Sequence, residues 1–279
     1  MKGKKITSTL FLAVGLVQAQ ISVSGEINPY VMTRTSNSSQ INLPFRLLSL
    51  DIGYSFEKFD IKTNSAIEYR IKTKNNQYDL RELYFAFYPE WGEVRLGKQI
   101  HSWGAVDAIN PTNNLNPYDY YYMFKVGAGT KVGVLSLTST YYSDGFQFEI
   151  IVNPYFNKNR IPYNEDDFPL APDIEPDIRY SPKEELEVGL KLQTTLSSSD
   201  ISFYYFSGND RAPSIYSGMF PNDPSADVRI DLGYRKTTMI GSDFVVFIGD
   251  FTIRGEGALY NTKTNHIDIA EPANNFLVF

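Results

Sequence analysis

Apolar residues recur at every second position through most of this 279-residue chain. Leu48, Leu50, Ile52, Tyr54 and Phe56 alternate with Ser49, Asp51, Gly53 and Ser55. The same rhythm runs through Ile67, Tyr69 and Ile71, through Phe146, Phe148, Ile150 and Val152, through Leu186, Val188, Leu190 and Leu192, and through Val228, Ile230, Leu232 and Tyr234. Successive side chains of a strand point to opposite faces, so this pattern spells strands with one apolar and one polar face. It predicts strands near 21–35, 44–57, 60–72, 79–89, 92–101, 129–142, 145–154, 184–196, 200–208, 226–248 and 251–262.

Alternation alone does not separate a soluble sandwich from a membrane barrel. The connections separate them. Every second link is tight: Glu57-Lys58-Phe59-Asp60, Glu90-Trp91-Gly92, Ser143-Asp144-Gly145, Ser197-Ser198-Ser199-Asp200 and Gly249-Asp250. The links between them, 73–78, 102–128, 155–183 and 209–225, are longer and often rich in Asn and Pro. Short turns at one end and long loops at the other mark an outer-membrane barrel. The expected class is therefore all-β, an antiparallel transmembrane β-barrel with about eleven strands visible. Single-chain bacterial barrels have an even strand number, and an open sheet in lipid exposes two unpaired edges. The complete barrel is expected to be larger, with this chain a member shortened at its C-terminus.

The start of the chain gives the compartment. Lys2, Lys4 and Lys5 precede a short apolar run from Leu10 to Val17, and Val17-Gln18-Ala19 ends it. This reads as a secretory signal peptide over residues 1–19, with the barrel over 20–279. Removing those three lysines takes the formal charge from −6 to −9, which argues against nucleic acid as a partner. With no cysteine, neither disulfides nor thiolate chemistry is available. The expected location is the outer membrane of a Gram-negative cell, with its lipids as surroundings.

The polar faces carry both charge signs, including Glu68, Arg70, Arg95, Arg229, Asp231, Arg254 and Glu256. Facing lipid, such a charge costs about 2–4 kcal/mol at the bilayer midplane, so these residues are expected to face a lumen. The chain centres on Arg95-Leu96-Gly97-Lys98-Gln99, which continues through His101 and Trp103 into a long polar loop. Arg95, Gln99 and His101 are expected on the inner face. Trp103, Asp107, Asn110-Pro111, Asn116-Pro117 and Asp119 are expected to shape a folded-in constriction stiffened by Asn-Pro turns.

Chemistry on a bond has little support. His101 and His266 stand on separate loops, and Ser102 points away from its neighbour His101. A barrel lipid hydrolase using a distant serine stays as a minor alternative. Phosphate-binding glycine loops are absent, and Gly127-Ala128-Gly129 lacks the required helix. The acidic cluster of Glu165, Asp166 and Asp167 with Asp173, Glu175 and Asp177 has calcium ligand chemistry without EF-hand spacing. No cofactor is assigned.

At Arg95-Leu96-Gly97-Lys98-Gln99, Trp103-Gly104, Asn110-Pro111 and Asn116-Pro117, the chain resembles a family of porin-like bacterial outer-membrane proteins of unknown function associated with RND-type (MMPL-like) exporters. Tyr118 intervenes before Asp119, where the family pattern has the aspartate directly. Tyr204-Phe206-Gly208 and Arg254-Gly255-Glu256-Gly257-Ala258 extend the resemblance across about residues 80–262. The resemblance implies further strands beyond the last one visible, and an inner-membrane exporter as partner. It carries over no catalytic residue. The function expected is passage or binding of a small, hydrophobic or amphipathic solute. The rival is a non-conducting structural or adhesive barrel plugged by loop 102–128.

Overall fold

The computed structural model describes residues 19–29, 31–106, 110–125, 127–163, 165–168, 178–180, 182, 184–219 and 229–263. The leader, Asp107, His266 and the apolar run at 276–279 lie outside them. Among the described residues fourteen strands follow in order: β1 (Ala19–Ile27), β2 (Phe45–Phe56), β3 (Phe59–Arg70), β4 (Asn75–Phe87), β5 (Gly92–Gln99), β6 (Val134–Ser143), β7 (Phe146–Asn153), β8 (Ile178–Tyr180), β9 (Glu187–Leu196), β10 (Ser199–Asn209), β11 (Ser214–Met219), β12 (Arg229–Gly233), β13 (Lys236–Ile248) and β14 (Phe251–Thr262). Eleven of them form one antiparallel sheet in the order β1-β2-β3-β4-β5-β6-β7-β9-β10-β13-β14. The sheet is not closed, so β1 and β14 each pair on one side only.

The eleven strands of the sheet stand close to where the alternation puts them, with two corrections. The stretch 226–248 is two strands, not one. Arg229 and Asp231 belong to β12, which pairs with β11 and, in parallel, with β8 in a separate three-stranded sheet. They are therefore not on the main wall. Period two continues through 228–234, so nothing in the sequence marks the change of sheet. The second correction is the link after β3. It is the short turn 71–74, because β4 begins at Asn75 and pairs back to Arg70. The five tight turns all lie at one end of the sheet. At the other end β1 leads to β2, β5 to β6, β7 to β9 and β10 to β13.

The burial of the two faces is inverted relative to a soluble sheet. On β6, Ser136, Thr138 and Thr140 are buried, while Leu135, Leu137 and Tyr141 are each more than two-fifths exposed. On β13, Thr237 and Asp243 are buried and Ile240 and Phe244, on the other face, are exposed. The exposed set extends over the sheet: Ile61, Phe85, Leu96, Leu192 and Phe203. Phe59, Trp91, Tyr141, Phe146 and Phe251 form an exposed aromatic row beside the tight turns. Exposed apolar side chains on this many neighbouring strands are unusual for a soluble monomer.

The sheet is rolled around the connection from β5 to β6. Within that connection Thr112 bonds to Glu256 on β14, and Tyr122 bonds to Glu68 on β3. In a flat sheet β3 and β14 would stand about 38 Å apart at ~4.8 Å per strand. Ten residues reach about 35 Å only when fully extended, and this stretch contains a turn and the 3-10 helix Tyr120–Tyr122. Only a sheet curled around the loop lets one short segment touch both strands.

Candidate functional site

The connection 100–133 occupies the concave face and is held at four places. At its root, the buried Gln99 donates to the Ser136 carbonyl at 2.9 Å and accepts from Thr138 at 3.3 Å. Asn116 then joins both strands of the root. Its amide donates to the Gln99 carbonyl at 3.0 Å and the Val132 carbonyl at 2.8 Å, and its oxygen accepts from the His101 N–H at 2.7 Å. Pro117 follows, and its carbonyl accepts from Val132 N–H at 2.9 Å. The second Asn-Pro pair is thus a clamp on the loop's entry and exit.

His101 is buried, and its Nε2 lies 3.0 Å from the Ser136 hydroxyl. Burial, with Arg95 nearby, lowers its pKa to about 3. Ser136 has no exposed surface. A serine and a histidine do meet here, but the pair sits under the loop and the imidazole is a weak base. An unfolded histidine takes up its proton near pH 6.5, so between there and pH 3 the unfolded state binds more protons. Stability therefore falls as pH drops through that window. Relative to pH 7, His101 alone is expected to remove about 2–3 kcal/mol by pH 4.5. Thermal unfolding at both pH values, compared with His101→Gln, checks this: the variant should lose less on acidification.

The second anchor is Trp103. It packs with Leu115, Ile151, Tyr204, Phe206 and Met239 in a buried cluster, with Ala258 against it. Its indole N–H donates to Glu149 at 2.9 Å, and Glu149 also pairs with Arg95 at 3.7 Å. Gly189 makes room: a Cβ there would stand 2.7 Å from the indole ring.

Glu256 on β14 is the third anchor. One carboxylate oxygen accepts from the Ala105 N–H at 3.1 Å, the Val106 N–H at 3.4 Å and the Asn110 amide at 3.3 Å. The other accepts from Thr112 N–H at 2.9 Å and Thr112 hydroxyl at 2.6 Å. Gly104 opens this nest with φ +92°, and a Cβ there would stand 2.4 Å from the same carboxylate. The Asn110-Pro111 turn is closed by Asn113 N–H on the Asn110 carbonyl at 3.1 Å, and Tyr260 of β14 donates to the Pro111 carbonyl.

The fourth anchor is ionic. Arg160 grips Glu68 with two bonds of 2.8 Å and donates to Asp119 at 3.0 Å. Tyr122 donates to Glu68 at 2.8 Å, and Arg46 lies 3.8 Å over the Tyr122 ring. Burial raises the Asp119 carboxyl above its usual range against the opposing pull of Arg160 and Arg46. Burial also works against the Arg160 charge, but Glu68 and Asp119 outweigh it and hold the guanidinium well above its ordinary value. Beside this group, Arg70 grips Glu165 at 2.6 and 3.0 Å, and Tyr121 donates to Glu165 at 2.7 Å. From the far side, Arg211 enters from the loop after β10. It pairs with Glu187 at 2.6 Å and donates to the Leu115 carbonyl at 3.0 Å.

Most of the residues singled out from the sequence therefore converge. Arg95, Gln99, His101, Trp103, Asn110, Pro111, Asn116, Pro117, Asp119, Glu68, Arg70 and Glu256 lie on or against one loop. Arg254 stands two residues from Glu256 on the same strand. Arg229 and Asp231 stand apart, as described. The acidic cluster is spent on cations: Glu165 on Arg70, and Asp167 on Arg34 at 2.9 Å. Asp173, Glu175 and Asp177 lie outside the described residues, among which no group of three acidic or histidine side chains is placed to hold a metal ion. Arg160, Arg211 and Lys131 were not foreseen. Arg160 and Arg211 lie in loops, where no period marks an inward residue.

The loop lines a cavity of about 740 Å³. Trp103, Tyr118, Tyr120 and Met123 supply its apolar lining, and Lys131 its buried cation. The Lys131 ammonium sits 3.3 Å from the Tyr118 ring centroid and donates to the Asn113 carbonyl at 3.3 Å. Burial, with Arg211 nearby, lowers its pKa to about 7.

Residues 53–277 match a family model described as a protein of unknown function (DUF1302). No curated protein matches the chain.

Proposed function

The chain belongs to the DUF1302 family of proteins of unknown function, and from that premise we propose that it forms the wall of an outer-membrane β-barrel whose loop 102–128 constricts a path for a hydrophobic or amphipathic solute. The observation that carries this reading is the inverted burial of the sheet. Leu135, Leu137, Leu192, Phe85, Phe203 and Phe244 face outward while Ser136, Thr138, Thr140, Glu68 and Asp243 are covered. In water that arrangement forfeits the hydrophobic driving force, at about 25 cal/mol per Å² left exposed. In lipid it is the favourable arrangement. The aromatic row by the tight turns suits an interfacial girdle, with those turns on the periplasmic side. Two free sheet edges are not tolerable in a bilayer, so this reading requires further strands pairing with β1 and β14.

The chain is assigned passage or binding and no bond chemistry, since the Ser136–His101 pair is covered by the loop. An inner-membrane exporter of the RND type is the proposed partner, meeting the tight-turn end. The dense anchoring of the loop favours one second reading, a permanently plugged barrel.

Planar-bilayer recording of the full-length protein separates the two. Passage predicts single-channel steps that grow when residues 104–115 are replaced by a short Gly-Ser linker. Absence of steps both before and after that replacement would overturn it.

A further inference from the structure

Two features of the loop cavity bear on what it can hold. One is the run of ring and thioether surfaces from Trp103, Tyr118, Tyr120 and Met123. The other is Lys131, whose residue is 5% exposed. Three arginines around the loop have carboxylates: Arg160 has Glu68 and Asp119, Arg211 has Glu187, and Arg46 has Asp119 and Asp79 at 3.7 Å each. Lys131 has a ring face and one carbonyl, and among the described residues no carboxylate lies within ion-pair reach. A buried charge is normally paired, because an unpaired ammonium loses most of its solvation. An anion at this site would supply such a pairing. Asp119 also lines the cavity, but its carboxylate is turned to Arg160 and Arg46. The volume lies within the ~300–1,000 Å³ of sites that enclose a small organic ligand.

We propose that this cavity binds an amphipathic monoanion, with the apolar body among Trp103, Tyr118, Tyr120 and Met123 and the anionic head on the Lys131 ammonium. Tyr118 holds the ammonium from beneath through its ring face, which keeps a cation in place without neutralising it. The site then selects for one negative charge at one end of an apolar molecule. It rejects neutral analogues, which leave the ammonium unpaired, and small anions, which leave the aromatic lining empty. This rests on the reading that the loop lies in the lumen of a barrel, and it names the class of solute that would dwell there.

The two tryptophans provide the test. Trp91 is exposed beside a turn and Trp103 lines the cavity, so Trp91→Phe leaves one reporter. In full-length Trp91→Phe protein reconstituted into phosphatidylcholine vesicles, brominated dodecanoate is expected to quench Trp103 saturably. Brominated dodecanol should do so about tenfold more weakly, and Lys131→Gln should weaken the dodecanoate effect by about the same factor. Lys131→Arg, which keeps the charge, should retain quenching and guards against a simple failure to fold. Quenching that is linear, equal for acid and alcohol, or unchanged in Lys131→Gln would overturn the site. Conductance read on the same samples keeps the two ideas apart. Saturable quenching without channel steps upholds the site and sinks passage, whereas channel steps without saturable quenching sink the site alone.

Discussion

Glu256→Ala is expected to release the segment from Gly104 to Thr112 from the wall while leaving the sheet paired. The carboxylate collects five hydrogen bonds from that segment. Bonds to a charged acceptor are worth about 1.5–3 kcal/mol each, and bonds to a shared carboxylate are far from additive. A total loss of about 3–5 kcal/mol in the stability of the docked loop follows. Three backbone N–H groups and the Asn110 and Thr112 side chains would lose their shared acceptor. Glu256→Gln keeps one acceptor oxygen and should fall between wild type and alanine. Limited proteolysis within 104–112 reads the release directly, and a red shift of Trp103 emission in the Trp91→Phe background reads it independently. If the alanine variant is as protected as wild type on both, the anchor does not hold the loop. Under the passage reading, the same variant also conducts more.

Arg160→Met is expected to cost as much, by a different route. It leaves Glu68, only 2% exposed, with Tyr122 as its close remaining donor. Removing one partner of a buried pair costs about 3–5 kcal/mol, because the other charge stays behind uncompensated. Adding Glu68→Gln removes that stranded charge, so the double variant should recover at least half of the loss. Asp119 keeps Arg46 at 3.7 Å and, its carboxyl already raised by burial, can take up a proton. Equilibrium unfolding of the four species of this cycle checks the prediction. A double variant no more stable than Arg160→Met would mean the cost lies in lost packing of the guanidinium against Tyr121, 4.7 Å away.

These two residues show where sequence reasoning reaches its limit. Glu256 was legible as a polar-face residue of a strand, because its neighbours alternate. Its role was not, because its partners are 144 to 151 positions away in the chain. Arg160 carried no signal at all. It sits in a loop, where no period distinguishes an inward side chain from an outward one. Asn116 was intermediate. The Asn-Pro pair marked a turn, but only the fold puts that amide between the Gln99 and Val132 carbonyls.

Local chemistry by itself determined the strands, the tight turns and the membership of the two faces. Period two and turn residues act over a few positions, and they placed all eleven strands of the main sheet. The same locality explains the miss at 226–248, where alternation runs unbroken across a change of sheet at Gly233. Tertiary structure decided which face is covered and what covers it. A strand fixes that residues two apart share a face. Whether that face meets lipid, water or a loop depends on how the sheet rolls, which no residue encodes alone. That roll brought Arg95, Gln99 and His101 under the loop, tied Trp103 into the core, and left Lys131 as a buried cation held by a ring face and one carbonyl.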